Sequence, residues 1–144
     1  MTNQQPAAQP KKILVVDDNE IICKALSLKL KANGYEAFAA ADASAAIKMV
    51  EEEKPDLILL DILFPPDSMG VGMHWDGFAI MRWLRSMSGD RDVPVIIISG
   101  TDPAKYQERC LAAGAVAFLH KPLDMEKLVA TVRTALRENI PSSA

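Results

Sequence analysis

The stretch Leu57-Ile58-Leu59-Leu60-Asp61 decides the fold of this chain. Four consecutive apolar residues are typical of a strand buried on both faces, as in a parallel sheet covered by helices. The run stops at a carboxylate, and ligands of open α/β sheets bind outside the carboxyl ends of the strands. We therefore expect Asp61 to meet a ligand, a metal ion or a phosphoryl group.

Four further segments complete a pattern of strands and helices. Apolar runs at 13–16, 95–98 and 115–119 predict buried strands, and the more alternating run 35–39 suits an edge strand. Amphipathic helical patterns separate the strands. Five strands alternating with five helices predict right-handed βαβ units, and hence an α/β domain with one parallel sheet.

Length and composition indicate a single globular domain. The 144 residues are 49% apolar and 24% charged, which is ordinary for a soluble domain. We expect residues 1–10 to be a disordered polar lead-in, residues 11–138 the domain and residues 139–144 a tail. Residues 64–77 contain two prolines and three glycines, so most of this segment is predicted to be a long loop.

Charge and cysteine usage exclude several classes of protein. The net charge of −3 gives no electrostatic argument for binding nucleic acid or an anionic membrane. No apolar run approaches the roughly 20 residues of a transmembrane helix, and the N-terminus lacks the apolar core of a secretion signal. Cys23 and Cys110 lack metal-ligand spacing and suit a reducing compartment. We expect a cytoplasmic location with no nucleic-acid or membrane partner.

Polar residues at the ends of the predicted strands would meet at one edge of the sheet. They are Asp17, Asp18, Asp61, Ser99 and Lys121. Two carboxylates about 4 Å apart repel by roughly 4 kcal/mol near a protein surface, and a hard cation such as Mg²⁺ relieves this repulsion. Lys121 adds an ammonium suited to phosphate, and Ser99 adds a hydroxyl donor. The set predicts a phosphoryl-transfer site, where a carboxylate can itself be the nucleophile.

Four motifs in order also give the chain a family resemblance. They are Ile13-Leu-Val-Val-Asp17-Asp18-Asn19-Glu20, Pro55-Asp56-Leu-Ile-Leu-Leu-Asp61-Ile-x-x-Pro65, Pro94-Val-Ile-Ile-Ile-Ser99-Gly100 and Gly114-Ala115-x-x-Phe118-Leu-x-Lys121-Pro122. Together they resemble the receiver domain of bacterial response regulators over residues 11–138. The resemblance implies a flavodoxin-like, doubly wound (βα)5 domain whose five-stranded parallel sheet has the order 2-1-3-4-5.

The resemblance also implies roles for the residues that react and switch. Asp61 matches the phosphoacceptor, Ser99 the hydroxyl that turns toward the phosphoryl group, and Lys121 the lysine that pairs with it. Phe118 matches the aromatic switch residue that packs inward once Ser99 moves. The Lys121–Pro122 bond matches the cis peptide of the family. The phosphodonor would be a phosphohistidine on a sensor histidine kinase or a histidine phosphotransfer protein, and the downstream protein is not indicated.

The ligands of Mg²⁺ follow from the same resemblance. Asp17 and Asp18 match the acidic pair that binds the ion, with Asp18 the more direct ligand. Asp61 and the backbone carbonyl of Leu63 complete the set. The apolar Leu63 side chain cannot orient a water molecule by hydrogen bonding, so we expect slow autodephosphorylation and no other enzymatic activity.

The chain departs from the family pattern in three places. Residues 66–75 form an insertion beside the acceptor, which could cover the pocket or contact a partner. Gly100 stands where the family usually has Ala, and Phe118 lacks the hydroxyl of the commoner Tyr. We expect a stand-alone receiver domain that carries this insertion.

Other interpretations remain open for these residues. Asp17 and Asp18 also suit a plain turn with a helix cap, and the lone His74 and His120 are expected to face solvent. The main alternative function is a Mg²⁺-dependent phosphohydrolase with an aspartyl-phosphate intermediate. Such enzymes carry Asp-x-Asp after the first strand, whereas this strand ends in Asp-Asp-Asn. A nucleotide-binding module lacks support, because the first strand–helix turn has no glycine-rich motif.

Overall fold

The computed structural model describes residues 9–61, 81–83, 86, 93–100 and 103–136. The strands are β1 Lys12–Val16, β2 Glu36–Ala40, β3 Leu57–Asp61, β4 Val95–Ser99 and β5 Ala117–His120. The helices with described bounds are α1 Glu20–Ala32, α2 Ala43–Glu53, α3 Pro103–Ala112 and α4 Met125–Ala135. Strand and helix bounds differ from the predicted ones by one or two residues at most ends, where local patterns are weakest.

Part of the sequence prediction lies outside the described residues. Residues 81–83 and 86 are helical, between β3 and β4 where the alternation of strands and helices predicts a helix, and the rest of that helix is not described. The insertion 66–75 and Leu63 also fall outside the described ranges. No helix among the described residues has the length and hydropathy needed to cross a bilayer.

The five strands form one parallel sheet in the order β2-β1-β3-β4-β5. This confirms the predicted fold class and strand order, and it confirms that β2 is an edge strand. In the register of neighbouring strands, Asp61 lies opposite Ile98 and Ser99 lies opposite His120. Because all strands run the same way, their polar C-terminal residues lie along one edge of the sheet.

The central strand β3 divides the core into two layers. Leu57 and Leu59 belong to a buried cluster that also contains residues of α1 and α4. Ile58 and Leu60 belong to the opposite cluster, which contains residues of α2 and Met81. Successive side chains of a strand point to opposite faces, so an uninterrupted apolar run is what a strand between two helical layers requires.

Three polar side chains cap the N-termini of helices. Asn19 caps α1, Asp42 caps α2 and Asp124 caps α4, each accepting hydrogen bonds from backbone N–H groups of the first helical turn. Such caps satisfy donors that have no intrahelical acceptor. The cap of α1 is Asn19 and neither of the preceding aspartates, Asp17 and Asp18.

Glycines with positive φ follow two of the helices. Gly34 after α1 has φ 94° and Gly114 after α3 has φ 117°, a region that costs glycine little. At the end of α2 the same kind of position is occupied by Lys54, with φ 50°. A side chain at this position carries a conformational strain that glycine avoids.

Candidate functional site

The C-terminal edge of the sheet brings the predicted site residues together. Asp61 and Ser99 are the last residues of β3 and β4, while Asp17 and Lys121 directly follow β1 and β5. Backbone hydrogen bonds hold the residues that follow the strands. Asp17 N donates to Ala40 O at 3.0 Å, and Lys121 N donates to Ser99 O at 2.9 Å. Each side chain is therefore presented from backbone that is fixed by the sheet.

An ion pair joins the third and fifth strands across this edge. Lys121 Nζ lies 2.5 Å from Asp61 Oδ2, and the Asp61 side chain is only 12% exposed. At this distance the ammonium contacts the carboxylate directly, and the hydrogen bond and charge of Lys121 both lower the pKa of Asp61.

The two oxygens of Asp17 have different surroundings. Oδ1 accepts a hydrogen bond from the Asn19 N–H at 2.9 Å. Oδ2 is buried and has no hydrogen-bond partner in the described part of the chain, and Asp17 as a whole is 4% exposed. Buried carboxylate oxygens without a donor are costly, which points to a ligand at this position.

Burial and charge together set the protonation of Asp61. Its pKa is raised from 3.8 to about 7, first because burial penalises the charged carboxylate and second because of the neighbouring Asp17 carboxylate. Lys121 acts in the opposite direction and lowers the pKa of Asp61, but it does not cancel the other two effects. The ammonium of Lys121 therefore does not supply enough positive charge to balance two ionised carboxylates at this site.

The donor set fits a hard divalent cation. Asp17 Oδ2 is buried without a hydrogen-bond donor among the described residues, the neighbouring Asp61 carboxylate contacts the Lys121 ammonium, and Mg²⁺ prefers one or two carboxylates with water completing its shell. Asp18 lies next to them in sequence, but it is exposed. Within the described ranges no three His, Cys, Asp or Glu side chains are grouped closely enough to hold a metal ion.

The residues predicted to switch lie on the two strands at one side of the acceptor. Ser99 is completely buried. Phe118 is half-buried and packs against the cluster that contains residues of α2, and its register partner on β4 is Ile97. The bond between Lys121 and Pro122 is cis, as the family resemblance implied.

Remaining sequence predictions concern cysteine and histidine. Cys23 and Cys110 are free and buried, as small apolar residues on helix faces are expected to be. His120 is exposed, as predicted, and His74 lies outside the described residues.

Sequence reasoning missed one neighbour of the site. Asn19 directly contacts Asp17, and its N-cap position was indicated by an Asn standing just before an apolar helical pattern.

Comparison with known proteins identifies the family. A profile of the response regulator receiver domain matches residues 13–133. The chain belongs to the response regulator receiver domain family. The receiver domain is therefore a module of two-component signalling, and the ordered motifs at the strand ends are those of its family.

Relatives and solved structures agree with this assignment. The chain is 34% identical over 132 residues to response regulator MprA of Mycolicibacterium vanbaalenii, covering 92% of this chain and 53% of that protein. It is 35% identical to MprA of Mycobacterium leprae, covering 92% and 54%. The receiver domain thus spans about half the length of these curated relatives. A CheY-like receiver domain protein from Methanospirillum hungatei superposes with a TM-score of 0.73 at 26% identity, covering 89% and 94% of the two chains.

Proposed function

We propose that this receiver domain accepts a phosphoryl group on Asp61 and thereby controls the binding of a partner protein. The observation that supports this most directly is the buried Asp61 carboxylate, which lies beside Asp17 and in contact with Lys121. The phosphodonor is a phosphohistidine of a sensor histidine kinase or a histidine phosphotransfer protein. The identity of the downstream protein is left open.

The reaction is an in-line displacement at phosphorus. An Asp61 carboxylate oxygen attacks, the phosphorus–nitrogen bond of the donor breaks, and its electron pair returns to the histidine nitrogen. The product is an acyl phosphate on Asp61. Positioning and charge neutralisation do most of the work in such transfers, and Lys121 supplies one of the required positive charges at the reacting carboxylate.

Mg²⁺ would be held by Asp17, Asp61, Asp18 and the carbonyl of Leu63. When bound, the ion neutralises the carboxylates and the incoming phosphoryl oxygens. Among the proposed ligands, the described structure supports Asp17 through its unpartnered Oδ2 atom and Asp61 through the burial of its carboxylate beside Asp17. For Asp18 and Leu63 the assignment depends on the family motif alone.

Phosphorylation would act on the fold through Ser99 and Phe118. We expect the Ser99 hydroxyl to turn toward the new phosphoryl group and Phe118 to pack into the space that this movement opens. Since Phe118 is only half-buried, it has room to change rotamer. A shift between two such arrangements would alter the face formed by α3 and β5, where the partner binds.

The proposal includes slow loss of phosphate and no other catalysis. The apolar side chain of Leu63 does not orient an attacking water molecule, so we expect the acyl phosphate to persist longer than seconds. A phosphohydrolase is the less favoured alternative, since the family comprises signalling modules. A cytoplasmic location completes the proposal, supported by two free buried thiols.

The test is intact mass spectrometry after incubation with a small acyl phosphate and Mg²⁺. We expect a gain of one phosphoryl group in the wild type and none in Asp61→Asn. Asp56→Asn is the matched control, because Asp56 lies directly before β3, at the end of the strand opposite to Asp61. It should gain the phosphoryl group normally. An unchanged gain in Asp61→Asn would contradict the proposal, and so would turnover of a simple phosphate ester.

A further inference from the structure

A hydrogen bond from the following turn orients the Asp17 carboxylate. Asn19 N–H donates to Oδ1 at 2.9 Å, which closes a short Asx turn. Oδ2, on the other side of the same carboxylate, is buried without a described donor. The direction of the Asn19 N–H therefore decides which oxygen of Asp17 remains available to a ligand.

Asn19 is itself fixed by the first turn of α1. Its side-chain oxygen accepts hydrogen bonds from Ile21 N at 2.9 Å and Ile22 N at 3.2 Å. Its carbonyl oxygen accepts one from Cys23 N at 3.0 Å. These three bonds set the orientation of the Asn19 backbone, and with it the direction in which its own N–H points.

Cys23 adds a contact from the same helix. Its thiol donates to the carbonyl oxygen of Asp17 at 3.2 Å, and Cys23 is 7% exposed. Asp17 N is already bonded to Ala40 O. The backbone of Asp17 is thus held by β2 on one side and by α1 on the other, while its carboxylate is held through Asn19.

We propose that Asn19 is a positioning residue that aims Asp17 Oδ2 at the cation, with Cys23 holding the backbone of Asp17 in place. The inference rests on the proposed function, because it concerns the same cation site. Hydrogen-bond partners that orient metal ligands typically change metal affinity by about tenfold or more. A helix cap without this role would affect the stability of α1 and leave the affinity for Mg²⁺ unchanged.

The experiment measures the Mg²⁺ dissociation constant by isothermal titration calorimetry at high ionic strength. The variants are Asn19→Ala, which removes the cap, and Asn19→Ser, which restores it. The matched control is Asp124→Ala at the start of α4, where the cap also accepts from the second and third following residues, at 3.0 and 3.2 Å. We expect Asn19→Ala to weaken Mg²⁺ binding by about tenfold, with Asn19→Ser and Asp124→Ala within about twofold of wild type.

A second pair of variants tests the Cys23 contact and covers the case in which Asn19→Ala does not fold. Cys23→Ser keeps a donor to the Asp17 carbonyl and should bind Mg²⁺ as the wild type does. Cys23→Ala removes the donor and should bind about threefold more weakly, an effect smaller than that of a direct orienting partner. Equal affinities for these two variants would overturn the role of Cys23.

The outcomes separate the two proposals. If the wild type binds Mg²⁺ and Asn19→Ala binds it equally well, the positioning role is wrong while the proposed function stands. A loss of affinity in Asp124→Ala as large as in Asn19→Ala would also overturn the positioning role, because general destabilisation would then explain both. If the wild type binds no Mg²⁺, the cation site and the proposed function fail together.

Discussion

Replacing Asp61 by asparagine should stabilise the metal-free domain at alkaline pH. The variant keeps the shape of the side chain but removes one of two neighbouring buried carboxylates, and its amide can donate to the unpartnered Oδ2 of Asp17. A pKa raised from 3.8 to about 7 would correspond to about 4 kcal/mol if Asp61 titrated alone. Lys121 loses its ion-pair partner in the variant, which offsets part of this gain, so we expect about 1–3 kcal/mol.

The direction of the pKa shift determines how the stability difference between Asp61→Asn and the wild type changes with pH. Because the pKa of Asp61 is higher in the folded than in the unfolded chain, its unfavourable contribution is absent below about pH 4 and grows as the pH rises toward 7. The advantage of Asp61→Asn should therefore be largest near pH 8 and shrink as the pH falls toward 4. With saturating Mg²⁺ it should reverse, because the wild type then gains binding energy.

Urea denaturation with EDTA, across this pH range, measures the free energy of unfolding directly. Asp18→Asn is the control for removing a charge, since Asp18 is exposed and its loss should change stability by less than about 0.5 kcal/mol. The reasoning would be refuted if Asp61→Asn were less stable than the wild type near pH 8 without metal. An advantage independent of pH would refute it equally.

Three further substitutions follow from the same structure. Lys121→Met should lower the free energy of unfolding in EDTA by about 1–3 kcal/mol, because it leaves the Asp61 carboxylate without its cation; unchanged stability in urea would show that the ion pair contributes nothing. Lys54→Gly should raise stability by about 0.5–1 kcal/mol, since φ is 50° there; a lower thermal midpoint would contradict this. Gly100→Ala should raise the free energy of unfolding by about 0.4–1 kcal/mol, because a Cβ there would meet no described atom within 4 Å. A calorimetric loss of stability in Gly100→Ala would mean that the loop needs glycine.

Most of the fold could be predicted because the pattern of apolar residues in each strand matches the place of that strand in the sheet. The uninterrupted apolar run of β3 is explained by two helical layers, and the weaker alternation of β2 by its place at the sheet edge. The strand order followed from family resemblance, since periodicity alone does not give the order of parallel strands. The cap of α1 was missed because three adjacent polar residues compete for that position.

The residues that share this edge of the sheet were predictable, but the geometry of their side chains was less so. Strand ends in a parallel sheet must share an edge, so Asp17, Asp61, Ser99 and Lys121 were correctly placed together. The sequence gives no information on which carboxylate oxygens have donors, or on the exposure of Asp18. These depend on the turn between β1 and α1, where one hydrogen bond decides the outcome.

The residues at the C-terminal edge of the parallel sheet are synthesised at different times during translation. Asp17 and Asp61 are synthesised before Lys121, so a nascent chain carries both carboxylates before the ammonium that contacts Asp61. Premature termination before β5 would leave those acids uncompensated and the neighbouring edge of β4 without its partner strand. The charge pairing of the acidic edge and the closing of the β4 edge therefore depend on the same strand, β5.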